Sequence, residues 1–176
     1  MEIISAETKS LFKIGVDKST HIAFIHTDTR EGELCADVLK EWCAHTWQCF
    51  VSIHKVKALQ VTDAELFRKE GIKEYVKLCM SLIEKHRFSH DVILNPTGGF
   101  KGIVPYTTIV GMIFSAPIYY IFEGSNALIR LPAIPLNYDE ELMESCAEKL
   151  KRIEDETFVK EHEFWGGIEF YERERF

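Results

Sequence analysis

Short apolar runs alternate with longer amphipathic ones along almost the whole chain, and that rhythm leaves few folds open. His21 to His26 (HIAFIH), Cys49 to Val56, Asp91 to Leu94 and Ile118 to Phe122 have the β-rich, near-continuous or alternating apolar character of strands. Between them lie segments with apolar residues at helical spacing. Residues 5–13 form one, and 32–46, with Leu34, Val38, Leu39 and Trp42, another. A third opens on the capping-box sequence Thr62-Asp63-Ala64-Glu65 and runs to about Lys85, with Leu66, Phe67, Tyr75, Val76, Cys79 and Ile83 inward. After a loop, Asn95–Gly99, an apolar helix is expected to about Ser115, then an extended stretch from Ala127 to Ile134 and a charged helix from Asn137 to Glu156.

Strands alternating with helices build βαβ units, so the expected class is α/β, Rossmann-like, with a mainly parallel sheet and helices on both faces. The first expected element is a helix, whereas sheets of this kind usually open on a strand. Residues 1–156 are read as one domain. Residues 157–176 mix aromatics with charges and are read as a C-terminal arm, or a terminal strand or hairpin around Gly166-Gly167.

The chain has 176 residues, enough for one domain with a real core, and 46% apolar content is ordinary for a globular protein. Its longest apolar runs fall far short of the ~20 residues of a membrane span. No signal-peptide pattern is present, so a cytoplasmic location is expected, with no membrane partner. A net charge of −7 argues against binding long duplex nucleic acid, which needs many phosphate-neutralising Lys and Arg. It leaves room for a small anion held by backbone N–H groups. The five cysteines contain no CxxC pair and read as reduced, packed residues; the seven histidines contain no HExxH. No metal and no cofactor is expected.

Three polar turns follow strands, where doubly wound sheets bind ligands. The most informative is Asn95-Pro96-Thr97-Gly98-Gly99-Phe100-Lys101-Gly102. Pro96 fixes the turn and Thr97 offers a hydroxyl to a helix end or a phosphate. Gly98 and Gly99 let a ligand approach backbone, and Lys101 adds positive charge. A plain glycine-rich connection would use the same residues. The second turn is Thr27-Asp28-Thr29-Arg30-Glu31-Gly32, where Asp28 and Thr29 either contact a nucleoside or cap the next helix. The third is Phe122-Glu123-Gly124-Ser125-Asn126, which reads better as an ordinary surface turn than as a site.

In order and spacing these segments, with Pro117 to Ser125 (PIYYIFEGS) leading to Leu131-Pro132, resemble the CRISPR-associated Rossmann-fold (CARF) domains over about residues 5–135. The NPTGGFK stretch is the specific part. The resemblance implies a homodimer with a symmetric pocket for a cyclic oligoadenylate, usually of four and sometimes of six units, in type III CRISPR defence. It implies that Asn95, Thr97, Gly98, Gly99, Phe100 and Lys101 line the phosphate–ribose ring and that Asp28 and Thr29 lie nearer base or ribose. Some relatives are metal-independent ring nucleases that cleave the ring by in-line 2′-OH attack, and there Lys101 would stabilise the phosphorane. CARF chains begin on a strand ending in a Thr/Ser-rich turn, which this chain lacks. An effector domain or subunit is a further implied partner. A different reading is a non-catalytic regulatory or dimerisation subunit that works by protein contact through its aromatic tail.

Overall fold

The computed structural model describes residues 5–60, 63–99, 101–122, 126–132, 134, 140–148 and 151. Residues 1–136 form one compact unit and 137–176 a second. In the second, α6 spans Glu140–Ser145. The expected arm at 157–176 falls outside the described residues, as do Thr62, Phe100 and the Glu123-Gly124-Ser125 part of the third turn.

The first unit begins with helix α1, Ala6–Ile14. Ser5 caps it through a reciprocal box: Thr8 N–H donates to Ser5 Oγ at 3.2 Å and Ser5 N–H to Thr8 Oγ1 at 3.0 Å. Gly15, at φ 95°, ends the helix in the left-handed conformation that a glycine adopts without strain. Strand β1, His21–Thr27, leads to α2, Arg30–Trp47, and then to β2, Phe50–Val56. β1 and β2 pair in parallel, His21 opposite Phe50 and Thr27 opposite Val56. α2 begins earlier than periodicity indicated because Thr29 caps it: its hydroxyl accepts from Gly32 N–H at 3.0 Å.

The long helix after Asp63 is broken where the sequence reads as continuous. A single turn, α3 (Ala64–Leu66), passes into a π-helical turn, Phe67–Gly71, before α4, Ile72–His86. The cause is close packing: Gly71 lies against the Ala58 carbonyl, and a Cβ at 71 would stand 2.4 Å from that oxygen. Widening the helix by one residue there keeps Tyr75, Cys79 and Ile83 on its buried face.

The expected strand from Asp91 to Leu94 contracts to one parallel bridge, Leu94 with Ile118. Leu94 N–H donates to Pro117 O and Tyr119 N–H to Leu94 O, both at 2.9 Å. A 3₁₀ turn, Lys101–Ile103, opens α5, Val104–Ile113. Strand β3, Tyr119–Ile121, pairs antiparallel with β4, Leu128–Arg130.

Two clusters show helices on both faces, as the α/β class requires. On one face Ile22 and Val51 pack with Cys43 and Trp47 of α2, together with Leu11 of α1. On the other, Val56 and Leu59 pack with Tyr75, Cys79 and Ile83 of α4 and Val110 of α5. β1 supplies Phe24 to the first and Ile25 to the second, the alternation that a strand between two helical layers must have. A buried hydrogen bond ties α4 to α5. Thr107 donates its hydroxyl hydrogen to Ile103 O at 2.9 Å, so the Tyr75 phenol donates to Thr107 Oγ1 at 2.5 Å.

Burial keeps two interior thiols protonated, pushing Cys43 up to about 12 and Cys79 to about 11. All five cysteines are free, and Cys35 alone is exposed.

Candidate functional site

A cleft of about 600 Å³ opens at the carboxyl ends of the strands, bordered there by Thr27 and Gly32 on one side and by Asn95, Gly98 and Gly99 on the other. Two of the three polar turns therefore share one cavity. Asp28, Thr29, Thr97 and Lys101 do not line it.

The glycine-rich turn is braced from within. Asn95 Nδ2 donates to Ser10 Oγ of α1 at 2.7 Å, and its Oδ1 accepts from the Thr97 hydroxyl at 2.6 Å. Thr97 is 2% exposed, and its oxygen also accepts from Ile121 N–H at 3.1 Å. Lys101 Nζ donates to Thr97 O at 2.9 Å and lies 5.6 Å from the centre of the Tyr120 ring. Asn95 and Thr97 thus hold the turn's shape, while Gly98 and Gly99 border the cleft and Gly99 carries the approachable backbone. Gly99, at φ 78°, has open space where a side chain would stand. Over Gly98 lies the carboxylate of Glu7, whose Oε1 would be 1.9 Å from a Cβ there.

The other turn is polar and more exposed. The Thr27 and Thr29 hydroxyls are 2.9 Å apart. Asp28 lies 3.8 Å from Lys55 Nζ, which also faces Glu33 at 3.5 Å. These are solvent-screened pairs that hold Lys55 beside the turn and add little stability. In the third turn Asn126 Oδ1 accepts from Lys9 Nζ, which ties it back to α1.

The model of a family described as CRISPR-associated protein (Cas_APE2256) matches residues 2–134, well over half of the chain. The chain belongs to that family. Cas_APE2256 membership ties it to CRISPR defence. No curated protein matches it. The matched region of this Cas_APE2256 protein takes in all three polar turns, α1 and the cleft.

At its far end the cleft meets a group of histidines. The His21 ring stands edge-on to that of His86, centroids 4.9 Å apart, and His86 to His90 at 5.7 Å. Burial first, then His86, His90, Lys85 and His54, hold His21 below the usual histidine range. His54 is lowered by burial and by Lys85 and His26. Among the described residues no group of three His, Cys, Asp or Glu side chains is arranged to hold a metal ion. Nor is any helix among them long and apolar enough to cross a membrane.

Sequence reasoning singled out the turns and missed their partners on α1. Glu7, Ser10 and Lys9 each reach a turn that periodicity places far away, and Lys55 reaches Asp28 from the next strand. One signal was present: polar Ser10 stands within an amphipathic helix, and it is fully buried, its hydroxyl donating to Glu7 O at 2.8 Å.

Proposed function

We propose that this Cas_APE2256 protein is a CARF-type sensor, a homodimer that binds cyclic oligoadenylate, and cyclic tetra-adenylate above all, at the carboxyl-end turns. What carries the reading is the pair Gly98 and Gly99, whose backbone borders the cleft across from Thr27 and Gly32. Backbone N–H groups without Cβ cover suit a ribose–phosphate chain, and Asp28, Thr29, Asn95, Thr97, Phe100 and Lys101 complete the proposed ring of contacts. CRISPR association supports a messenger of that defence over an unrelated nucleotide.

Binding has more support than cleavage. The Lys101 ammonium donates to Thr97 O, and the Glu7 carboxylate covers Gly98 where phosphate would approach. A ring seated there displaces Glu7, and in a cleaving protein Lys101 turns toward the phosphorane while a ribose 2′-OH lines up with the adjacent phosphodiester. That engaged state is the observation favouring the second reading, a non-catalytic subunit working by protein contact.

The test is titration with cyclic tetra- and hexa-adenylate, heat followed by calorimetry and products by chromatography. Binding with the ring intact makes the protein a sensor, and linear products make it a ring nuclease. Binding to neither ring overturns the proposal and favours the contact reading.

A further inference from the structure

β2 delivers a cation to a turn that is otherwise acidic. Residues 28–33 carry Asp28, Glu31 and Glu33 against Arg30, three carboxylates to one guanidinium and so a net charge of −2. All four residues are exposed. Glu31 and Glu33 stand in the first turn of α2, where their charge already answers the positive end of the helix dipole. The Thr29 hydroxyl takes up the Gly32 N–H. A phosphate approaching this side of the cleft therefore meets carboxylates first.

The neighbouring strand supplies the opposite charge. Lys55 is the next-to-last residue of β2 and stands in register with His26, one step before Thr27 and Val56 close the ladder. Side chains alternate along a strand. Val56 belongs to the cluster with α4, and Val51 to the cluster with α2. Lys55 shares the face of Val51, which directs it to the side of the sheet where α2 begins. Its Nζ lies 3.8 Å from Asp28 and 3.5 Å from Glu33. Among the described residues Lys55 is the cation in ion-pair contact with this turn from another element. Lys57, two residues on, faces Glu70 of the π-helical turn instead, at 3.9 Å.

The fold does not depend on these two pairs. The three side chains are between 40% and 54% exposed, so water screens both contacts. A lysine held this loosely changes partners at small cost. Like Asp28, it does not line the cleft; it stands beside a turn whose Thr27 and Gly32 do. A phosphodiester seated there offers Lys55 a charge-assisted hydrogen bond in a partly enclosed place, where such a bond is worth more than in open water.

Resting on the cyclic oligoadenylate reading above, we propose that Lys55 is the phosphate-contacting cation of the 27–32 turn, and that it reaches the ligand by leaving Asp28 and Glu33. The exchange does two things at once. It neutralises phosphate on the acidic side of the cleft, and it uncovers the Asp28 carboxylate as an acceptor for a ribose hydroxyl or an adenine amino group. Phosphate and nucleoside recognition are then coupled through one side chain. An uncharged nucleoside does not draw Lys55 away, and it finds Asp28 already engaged.

The test is calorimetric titration with cyclic tetra-adenylate at about 50 and about 200 mM salt, a span over which phosphate contacts weaken measurably. The wild-type chain is compared with Lys55→Ala, Lys55→Arg and Lys57→Ala, and the urea midpoints of all three are expected to stay at the wild-type value. Lys55→Ala is expected to weaken binding by about tenfold or more, the scale of one charge-assisted hydrogen bond, and to flatten its salt dependence. Lys55→Arg keeps the charge and most of the affinity. Lys57→Ala removes the same charge from the same strand end without touching the turn, and binds as wild type does. Wild-type affinity in Lys55→Ala overturns the assignment. So does an equal loss in Lys57→Ala, which would mean that net charge alone matters. Weaker binding with an unchanged salt dependence also overturns it and leaves Lys55 only the shaping of the turn. A wild-type chain that binds neither cyclic tetra- nor hexa-adenylate is a separate outcome: the ligand reading itself fails, and the role of Lys55 falls with it.

Discussion

The Thr97 hydroxyl accepts the N–H of Ile121 across 3.1 Å while it donates to Asn95 Oδ1 at 2.6 Å, so a single buried side chain fastens the glycine-rich turn to β3. Thr97→Val keeps the shape and leaves the Ile121 N–H unpaired in the interior. The expected cost is about 1–3 kcal/mol in urea unfolding, with Thr97→Ser losing less because it retains the oxygen.

Glu7 places a carboxylate over Gly98, where an anionic ligand would sit. Two unit charges 4 Å apart repel by ~1 kcal/mol even in water, and more in a partly enclosed site. Glu7→Gln is therefore expected to tighten cyclic tetra-adenylate binding by about fivefold or more in calorimetry. Unchanged affinity in the variant would place the ligand away from Gly98.

Where the ring is cleaved, Lys101→Ala is expected to slow single-turnover cleavage by ~10²-fold, the scale for removing one charge-stabilising donor. Binding should change less, since the group acts on the transition state. Equal loss in both would reassign Lys101 to ligand binding or to holding Thr97 O.

Gly71→Ala brings a Cβ to within 2.4 Å of the Ala58 carbonyl oxygen, a backbone atom that cannot swing aside. The expected loss is roughly 1–3 kcal/mol, the range for overpacking a filled interior, read from the urea midpoint. Gly15→Ala, with nothing within 4 Å of its Cβ, is expected to cost only the strain of its φ of 95°.

His21 and His54 titrate below the usual histidine range in the folded protein, chiefly because burial disfavours their charged forms. The unfolded chain then binds more protons just below pH ~6.5, so stability falls as pH drops from there through the folded values. The thermal midpoint at pH 5.5 is expected to be lower than at pH 7.5, a window above the carboxylate range. Replacing both histidines by Asn should flatten that slope. A midpoint independent of pH over this window would contradict the assignment.

The sequence carried the fold class because both signals involved are local. HIAFIH reads as a strand and Arg30–Trp47 as an amphipathic helix without knowledge of anything distant. The π-helical turn at Phe67–Gly71 was not legible, because its cause is the Ala58 carbonyl, which only the fold brings against Gly71. The turns after β1 and after Leu94 stand where the sequence put them, since glycines and hydroxyl residues after apolar runs mark strand ends. What those side chains do was hidden for the same reason as the π turn. Asn95 could equally face a ligand or Ser10, and 85 positions of chain separate it from Ser10. The single-bridge strand at Leu94 is the clearest disparity: its apolar run promised a full ladder, and the fold gives it one parallel bridge, to Ile118.

The 27–32 turn rides on the β1–β2 pair and the 95–99 turn on the Leu94–Ile118 side, and among the described residues no strand pairing joins the two. The two turns are thus the jaws of a caliper, each carried on its own strand pairing. If the proposed ring is gripped by both, the width accepted is a property of the helix packing that holds those pairings apart.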